Sequence, residues 1–198
     1  MSSVWCAPNV TNWDDHSDHN AQNAMAFLGL AMSRADFGQA ILRAKSVLEV
    51  GCGTGELSAA LAIAARHATV IGTDGSEEML VRAERFDIGR VRFMRWDATT
   101  PFITLSAHFS LGITSHVLEH FGKPEIIIDR MLGICDDVIA IVPYKQAHLD
   151  LYAGEGGLGH VFSFDEAWFG RYDVAASFRF TSAGWCGEQL AVLMKGKR

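Results

Sequence analysis

Proline is scarce in this chain, four among 198 residues, and no run of proline, glycine and serine marks a linker. A single domain is therefore expected, long enough to bury a core without disulfides or metals. Cysteine is as sparse. Cys6, Cys52, Cys135 and Cys186 stand far apart with no C-x-x-C pair, which excludes a zinc knuckle or a disulfide framework and predicts reduced thiols in a cytoplasmic protein. Long apolar runs are missing too: AMAFLGLAM at 24–32 is too short to cross a bilayer, and MSSVWCAPNVTNWDD has no basic start leading into an apolar core. Net positive charge is also lacking. The formal charge of −6 argues against a partner that is mainly phosphate backbone, so nucleic acid is not the expected ligand. Arg82, Arg85, Arg90, Arg92 and Arg95 make a local basic stretch, either an anion-facing patch or, the reading favoured here, solvated charges on a surface helix and strand.

What is present is an alternation. SVLEVG (46–51) is a short β-rich run, and after a glycine cluster ELSAALAIAARH (56–67) favours helix. ATVIGTD (68–74) reads as the next strand, and Ser76 caps a helix, SEEMLVRAERF, with an acidic first turn. VRFMRWD (91–97) and HFSLGITSHV (108–117) read as the third and fourth strands, KPEIIIDRMLGIC (123–135) as a helix entered through proline, and DDVIAIVPY (136–144) as a fifth strand. Strands separated by helices predict an α/β fold with a doubly wound, mostly parallel sheet. After the glycine-rich LYAGEGGLGH (151–160), a short helix, SFDEAWFGRY, leads to VAASFRF and QLAVLMKGK, joined by TSAGWCGE as a hairpin. Seven strands are thus expected, the last antiparallel. Residues 14–37 start polar and become apolar from Met25, giving one or two N-terminal helices. The single domain divides into a helical cap at 1–45, a core at 46–144 and a loop, helix and hairpin at 145–198.

Chemistry concentrates in VLEVGCGTGEL. Gly51, Gly53 and Gly55 let the chain turn sharply after the first strand and bring backbone N–H groups, with a helix N-terminus behind them, against a nucleotide-like ligand. Glu49, Asp74 and Asp97 lie at the ends of the first three strands, and in a doubly wound sheet those ends meet at one crevice. An acid after the second strand can accept hydrogen bonds from both ribose hydroxyls, and one after the third from an adenine amino group. Together they outline an adenosine. A dehydrogenase fingerprint, G-x-G-x-x-G, is not met, because G-C-G-T-G-E has no glycine at the sixth place.

The E-x-G-x-G-x-G of Glu49 to Gly55, the G-T-D-G-S-x-E-M-L of 72–80, the W-D-A of 96–98 and the S-H-V-L-E-H of 115–120 together resemble the class I S-adenosylmethionine-dependent methyltransferases of the small-molecule type. The resemblance covers about 46–144. It implies a cofactor set of Glu49, Gly51, Cys52, Gly53, Gly55, Asp74, Gly75, Met79, Asp97, Ala98, Ser115 and His116, with S-adenosylhomocysteine as product. Glu49 would lie near the methionyl amino group, Asp74 at the ribose and Asp97 at the adenine. The sequence departs from the family in carrying Ser110 where Asp often follows Phe109, and in the short ATTPFITLSA between the third and fourth strands.

HVLEH at 116–120 also spells the inverted zinc-protease motif H-x-x-E-H, which needs a sustained helix. A strand pattern before it, with Gly122 and Pro124 after it, predicts a strand end and turn instead. His116, His120 and His160 are the catalytic candidates, since imidazole titrates near neutrality, and Tyr144, Tyr152 and His160 are expected to line the acceptor. No bound metal is expected. An alternative is a metal-assisted RNA 2′-O-methyltransferase, because His116, Glu119, His120 and His160 imitate the metal cluster of that group. Another is a subunit or sensor that binds S-adenosylmethionine without turnover. Trp5, Trp13 and Phe27, with the loop 146–162, would cover a small-molecule acceptor, and a homodimer is left open.

Overall fold

The alternation becomes a seven-stranded sheet in the computed structural model, which describes residues 14–87, 89–100, 108–146, 159–182 and 185–196. Two helices come first, α1 (Asp14–Met32) and α2 (Ala35–Arg43). There follow β1 (Ser46–Val50), α3 (Glu56–Ala64), β2 (Thr69–Asp74), α4 (Glu77–Ala83), β3 (Val91–Arg95) and β4 (Phe109–Ser115). The rest is α5 (Glu125–Ile134), β5 (Cys135–Pro143), α6 (Glu166–Phe169), β6 (Val174–Ser182) and β7 (Trp185–Lys195). None of the described helices is long and apolar enough to cross a membrane.

The strand order is β3-β2-β1-β4-β5-β7-β6, with β1 to β5 parallel and β7 antiparallel to both β5 and β6. Because β2 and β4 leave β1 on opposite sides, the order reverses at its carboxyl end and opens a crevice there. The inner strands read as continuous apolar runs because both faces are covered: Val47 enters one core and Leu48 the other. On the first face α1, α2 and α3 bring Phe27, Phe37, Ile41 and Leu61 against Phe178 and Phe180 of β6. Phe178 takes the Phe37 ring edge-on at 4.8 Å and lies parallel to Phe27 at 6.4 Å. The other face packs Leu48 and Val138 against Ile127, Ile128 and Met131 of α5 and against Phe164 and Phe169.

Two elements differ from the sequence expectation. The hairpin strands run to Ser182 and restart at Trp185, which pair with each other, so most of TSAGWCGE is strand and not loop. The helix expected through SFDEAWFGRY is only Glu166–Phe169, started by Asp165, which accepts from Trp168 N at 3.0 Å, and followed by Gly170. The short segment before β4 falls largely at 101–107, outside the described residues. HVLEH is the expected strand end and turn: β4 stops at Ser115, His116 has φ 53°, and Leu118–His120 is one 3-10 turn. The helix that a zinc protease requires is not formed.

Candidate functional site

The glycine turn is held from below. The N–H groups of Gly51 and Cys52 both donate to Thr73 O, at 2.8 and 2.9 Å, which ties the end of β1 to the end of β2. Gly51 has φ +73°, and a Cβ there would lie 2.1 Å from Val117 Cγ2, so the turn after β4 occupies the place of any side chain. Gly53 is different: φ is +51° and nothing lies within 4 Å of where its Cβ would be, so its bare backbone faces open space. Asp74 fixes that geometry. Its Oδ2 accepts from Gly53 N at 2.9 Å and its Oδ1 from Ser76 N at 2.8 Å, while Ser76 Oγ caps α4 by accepting from Met79 N. Both oxygens keep lone pairs for a diol.

Glu49, only 2% exposed, accepts a hydrogen bond from Ser58 Oγ of α3. Burial pushes its carboxyl up to about 8; the Ser58 bond opposes this, and nearby Glu56 and Asp74 add to it. Burial, with Glu49 and Asp74 beside it, likewise keeps the Cys52 thiol far above its ordinary value. Thr54 donates to Glu56 at 2.6 Å and accepts from Asn20 of α1 at 3.2 Å, and Glu56 is ion-paired with Arg85. Asp97 is exposed, with its Oδ1 taking hydrogen bonds from Thr99 N and Oγ1 at 2.8 and 2.6 Å, which hold it below the usual carboxylate range. Ala98 is buried, and its carbonyl accepts from Arg130 at 2.7 Å. Met79 of α4 is buried, and Gly75 is exposed between Asp74 and Ser76.

Past β4, Ser115 Oγ lies 3.0 Å from His116 Nδ1, and His116 Nε2 is enclosed on the side of Gln189. Burial, then the neighbouring His160 and His120, lowers His116 to about 3 and keeps it neutral. His120 and His160 meet edge to face, ring centres 4.8 Å apart, and burial lowers His160 to about 4. Glu119 between them is fully buried. Of the four residues noted as a metal-like cluster, the structure brings the ligand atoms of Glu119, His120 and His160 within 4.8 Å of one another and leaves His116 outside that group. Tyr144, at the end of β5, has Arg179 over its ring at 4.9 Å and Lys145 at 5.2 Å. Tyr152, Trp5 and Trp13 lie outside the described residues.

Sequence reading missed Asn20, Thr54, Ser58 and Gln189. Thr54 and Ser58 sit within or just after the glycine turn, so their place was visible although their partners were not. Gln189 heads an apolar run and is fully buried, and a polar residue at that position was the available signal.

Residues 47–137 match the family described as Methyltransferase domain. That stretch, just under half of the chain, is similar to a methyltransferase domain. With this strand order, the chain shares its fold with methyltransferases solved with bound SAH or SAM. Among solved structures it is similar to magnesium protoporphyrin IX methyltransferase from Synechocystis PCC 6803 with bound SAH: 18% identity, TM-score 0.67, covering 96% of this chain and 90% of that one. The N-terminal domain of EvdMO1, solved in the presence of SAH and D-fucose, is 18% identical with TM-score 0.62, covering 90% of this chain and 83% of its own. The methyltransferase domain of bacterial CtHen1-C is 17% identical with TM-score 0.65, covering 90% of this chain and 100% of its own. No curated protein matches the chain in sequence.

Proposed function

We propose that this methyltransferase acts on an O, N or C atom of a small molecule or soluble biosynthetic intermediate in the cytoplasm. The observation that carries the cofactor site is the Asp74 carboxylate, fixed by Gly53 and Ser76 N–H groups beside an open glycine turn. The residues suit S-adenosylmethionine. Asp74 takes the ribose hydroxyls, Asp97 the adenine amino group with Ala98 and Met79 against the ring, and Gly51, Cys52, Gly53, Gly55 and Gly75 supply backbone against the ligand. Glu49, Ser115 and His116 face the methionine end. A small acceptor accords with a neighbour solved with D-fucose and with the net charge of −6.

When bound, S-adenosylmethionine supplies a methyl group on a sulfonium, and the acceptor lone pair forms the new bond to carbon as the sulfur keeps the electrons of the old one. The chain's part is to align the two and exclude water. Phe27 of α1, and the loop carrying His160, belong to the segments we assign as cover. His116, His120 and His160 shape the acceptor side, where a neutral imidazole can take a proton from the acceptor. Free, buried Cys52 and Cys135 accord with a reducing cytoplasm.

Calorimetry should show one S-adenosylmethionine site per chain, weakened in Asp74→Ala. Cell extract incubated with methyl-labelled cofactor should then yield a labelled small molecule, identified by mass. Absence of binding to the intact protein overturns the assignment. Binding with no labelled product in any fraction supports a non-catalytic binding subunit, and label in RNA supports the RNA 2′-O-methylation alternative.

A further inference from the structure

A chain of buried hydrogen bonds runs from α1 to the end of β4. Asn23 of α1 accepts from Ser182 Oγ at the end of β6, and Ser182 Oγ accepts in turn from Gln189 Nε2 of β7 at 3.0 Å. Gln189 is fully buried, and its Oε1, with no other partner among the described residues, is enclosed on the side of His116. Beyond that ring, His116 Nδ1 lies 3.0 Å from Ser115 Oγ.

The chain runs in one sense, because each hydroxyl has a single proton to give. Ser182 spends its proton on Asn23, so it takes one from the Gln189 amide, and the amide then turns its oxygen to His116. An acceptor in that place calls for a proton on His116 Nε2 and leaves a lone pair on Nδ1. Ser115 can then only donate to Nδ1, which uses its own proton. We infer that Gln189 is a positioning residue: it fixes His116 in the Nε2–H form, so that Ser115 offers only lone pairs to the crevice and selects a ligand carrying an ammonium group there.

The backbone serves the same end. Leu111 and Ile113 of β4, and Ala191 and Leu193 of β7, enter the core beneath α1, and by alternation Ser115 and Gln189 continue those two rows on the same face. His116 would point the other way. Its φ of 53°, a left-handed value uncommon outside glycine, breaks the alternation and lets its ring lie beside Ser115, while its N–H donates to Ile141 O of β5 at 3.0 Å. An imidazole whose one lone pair is taken up by Ser115 has none left for a proton from an acceptor. The role of base, where one is needed, falls to His120 or His160. The ammonium rests on the methyl-transfer reading, in which Ser115 faces the methionine end; the form of the imidazole does not.

The test uses the full chain with nitrogen-15 in its histidine rings, where couplings to the carbon-bound ring protons in two-dimensional NMR tell the two neutral forms apart. His116→Asn identifies the signals. Without cofactor at pH 7, the wild type and Ser182→Thr should show the Nε2–H form alone. Ser182→Ala and Gln189→Leu, checked for folding by circular dichroism, should show a mixture, and Ser182→Ala, at a half-buried position, decides the matter if Gln189→Leu does not fold. In calorimetry S-adenosylhomocysteine should bind these two variants roughly tenfold more weakly than the wild type, whereas its analogue lacking the α-amino group should bind all three alike. An Nδ1–H form or an imidazolium in the wild type, an unchanged spectrum in both variants, or equal weakening of the two ligands overturns the inference. Binding of neither ligand by the wild type overturns the methyl-transfer reading and the ammonium with it, and the spectrum still decides the role of Gln189.

Discussion

At the scale of single residues, Asp74 does two jobs with one carboxylate, holding the glycine turn by Gly53 N and the start of α4 by Ser76 N. Asp74→Ala removes those bonds along with the proposed acceptor for a ribose. A charge-assisted hydrogen bond is worth about 1.5–3 kcal/mol, so cofactor affinity should fall roughly ten- to hundredfold by calorimetry. Gly51→Ala should be more severe. The left-handed backbone and the Val117 methyl at 2.1 Å leave no place for a Cβ, and the variant should lose cofactor binding and melt at lower temperature. Glu49 predicts a proton signature. Its value of about 8 keeps it protonated at pH 7, and an ammonium brought beside it would drive that proton off. Titration at pH 7 in buffers of different ionisation enthalpy should therefore show net proton release on cofactor binding, absent from Glu49→Gln.

Among elements, α1 is fastened at both polar and apolar points. Asn20 donates to Thr54 of the glycine turn at 3.2 Å, Asn23 accepts from Ser182 of β6, and Phe27 lies on Phe178. The helix proposed as cover is thus tied to the glycine turn proposed to hold the cofactor. Phe27→Ala should cost about 3–5 kcal/mol of stability, read by urea unfolding. Most elements were legible because their residues follow a period: the β-rich runs at 46–50 and 69–74 and the alanine-rich helix between them are each one kind of pattern. The errors fell where tertiary pairing decides. Trp185 joins a strand because Ser182 lies opposite it, and α6 stops after four residues as the chain turns at Gly170. In the site, acids at strand ends could be placed from order alone. The convergence of Glu119 with His160 was suggested by the resemblance alone, because it depends on tertiary bonds from Val161 and Phe162 N–H to the Glu119 carbonyl that no local pattern encodes.

For the whole molecule, burial of Glu49 couples folding to pH. The unfolded chain gives up that proton near 4.5 and the folded chain near 8, so without cofactor the Glu49 contribution to stability is fully present below about 4.5 and is lost as pH rises to about 8. Unfolding in urea across that range should show a slope that Glu49→Gln flattens. The sheet carries a further consequence, one of timing. β6 precedes β7 in the chain yet lies outside it, so during synthesis β5 keeps a bare edge, and β6 has no neighbour, until β7 slides between them. Gln189, which faces His116, rides on that late strand. A ribosome stalled at Ser182 would therefore release a chain with its glycine turn written and its crevice unfinished.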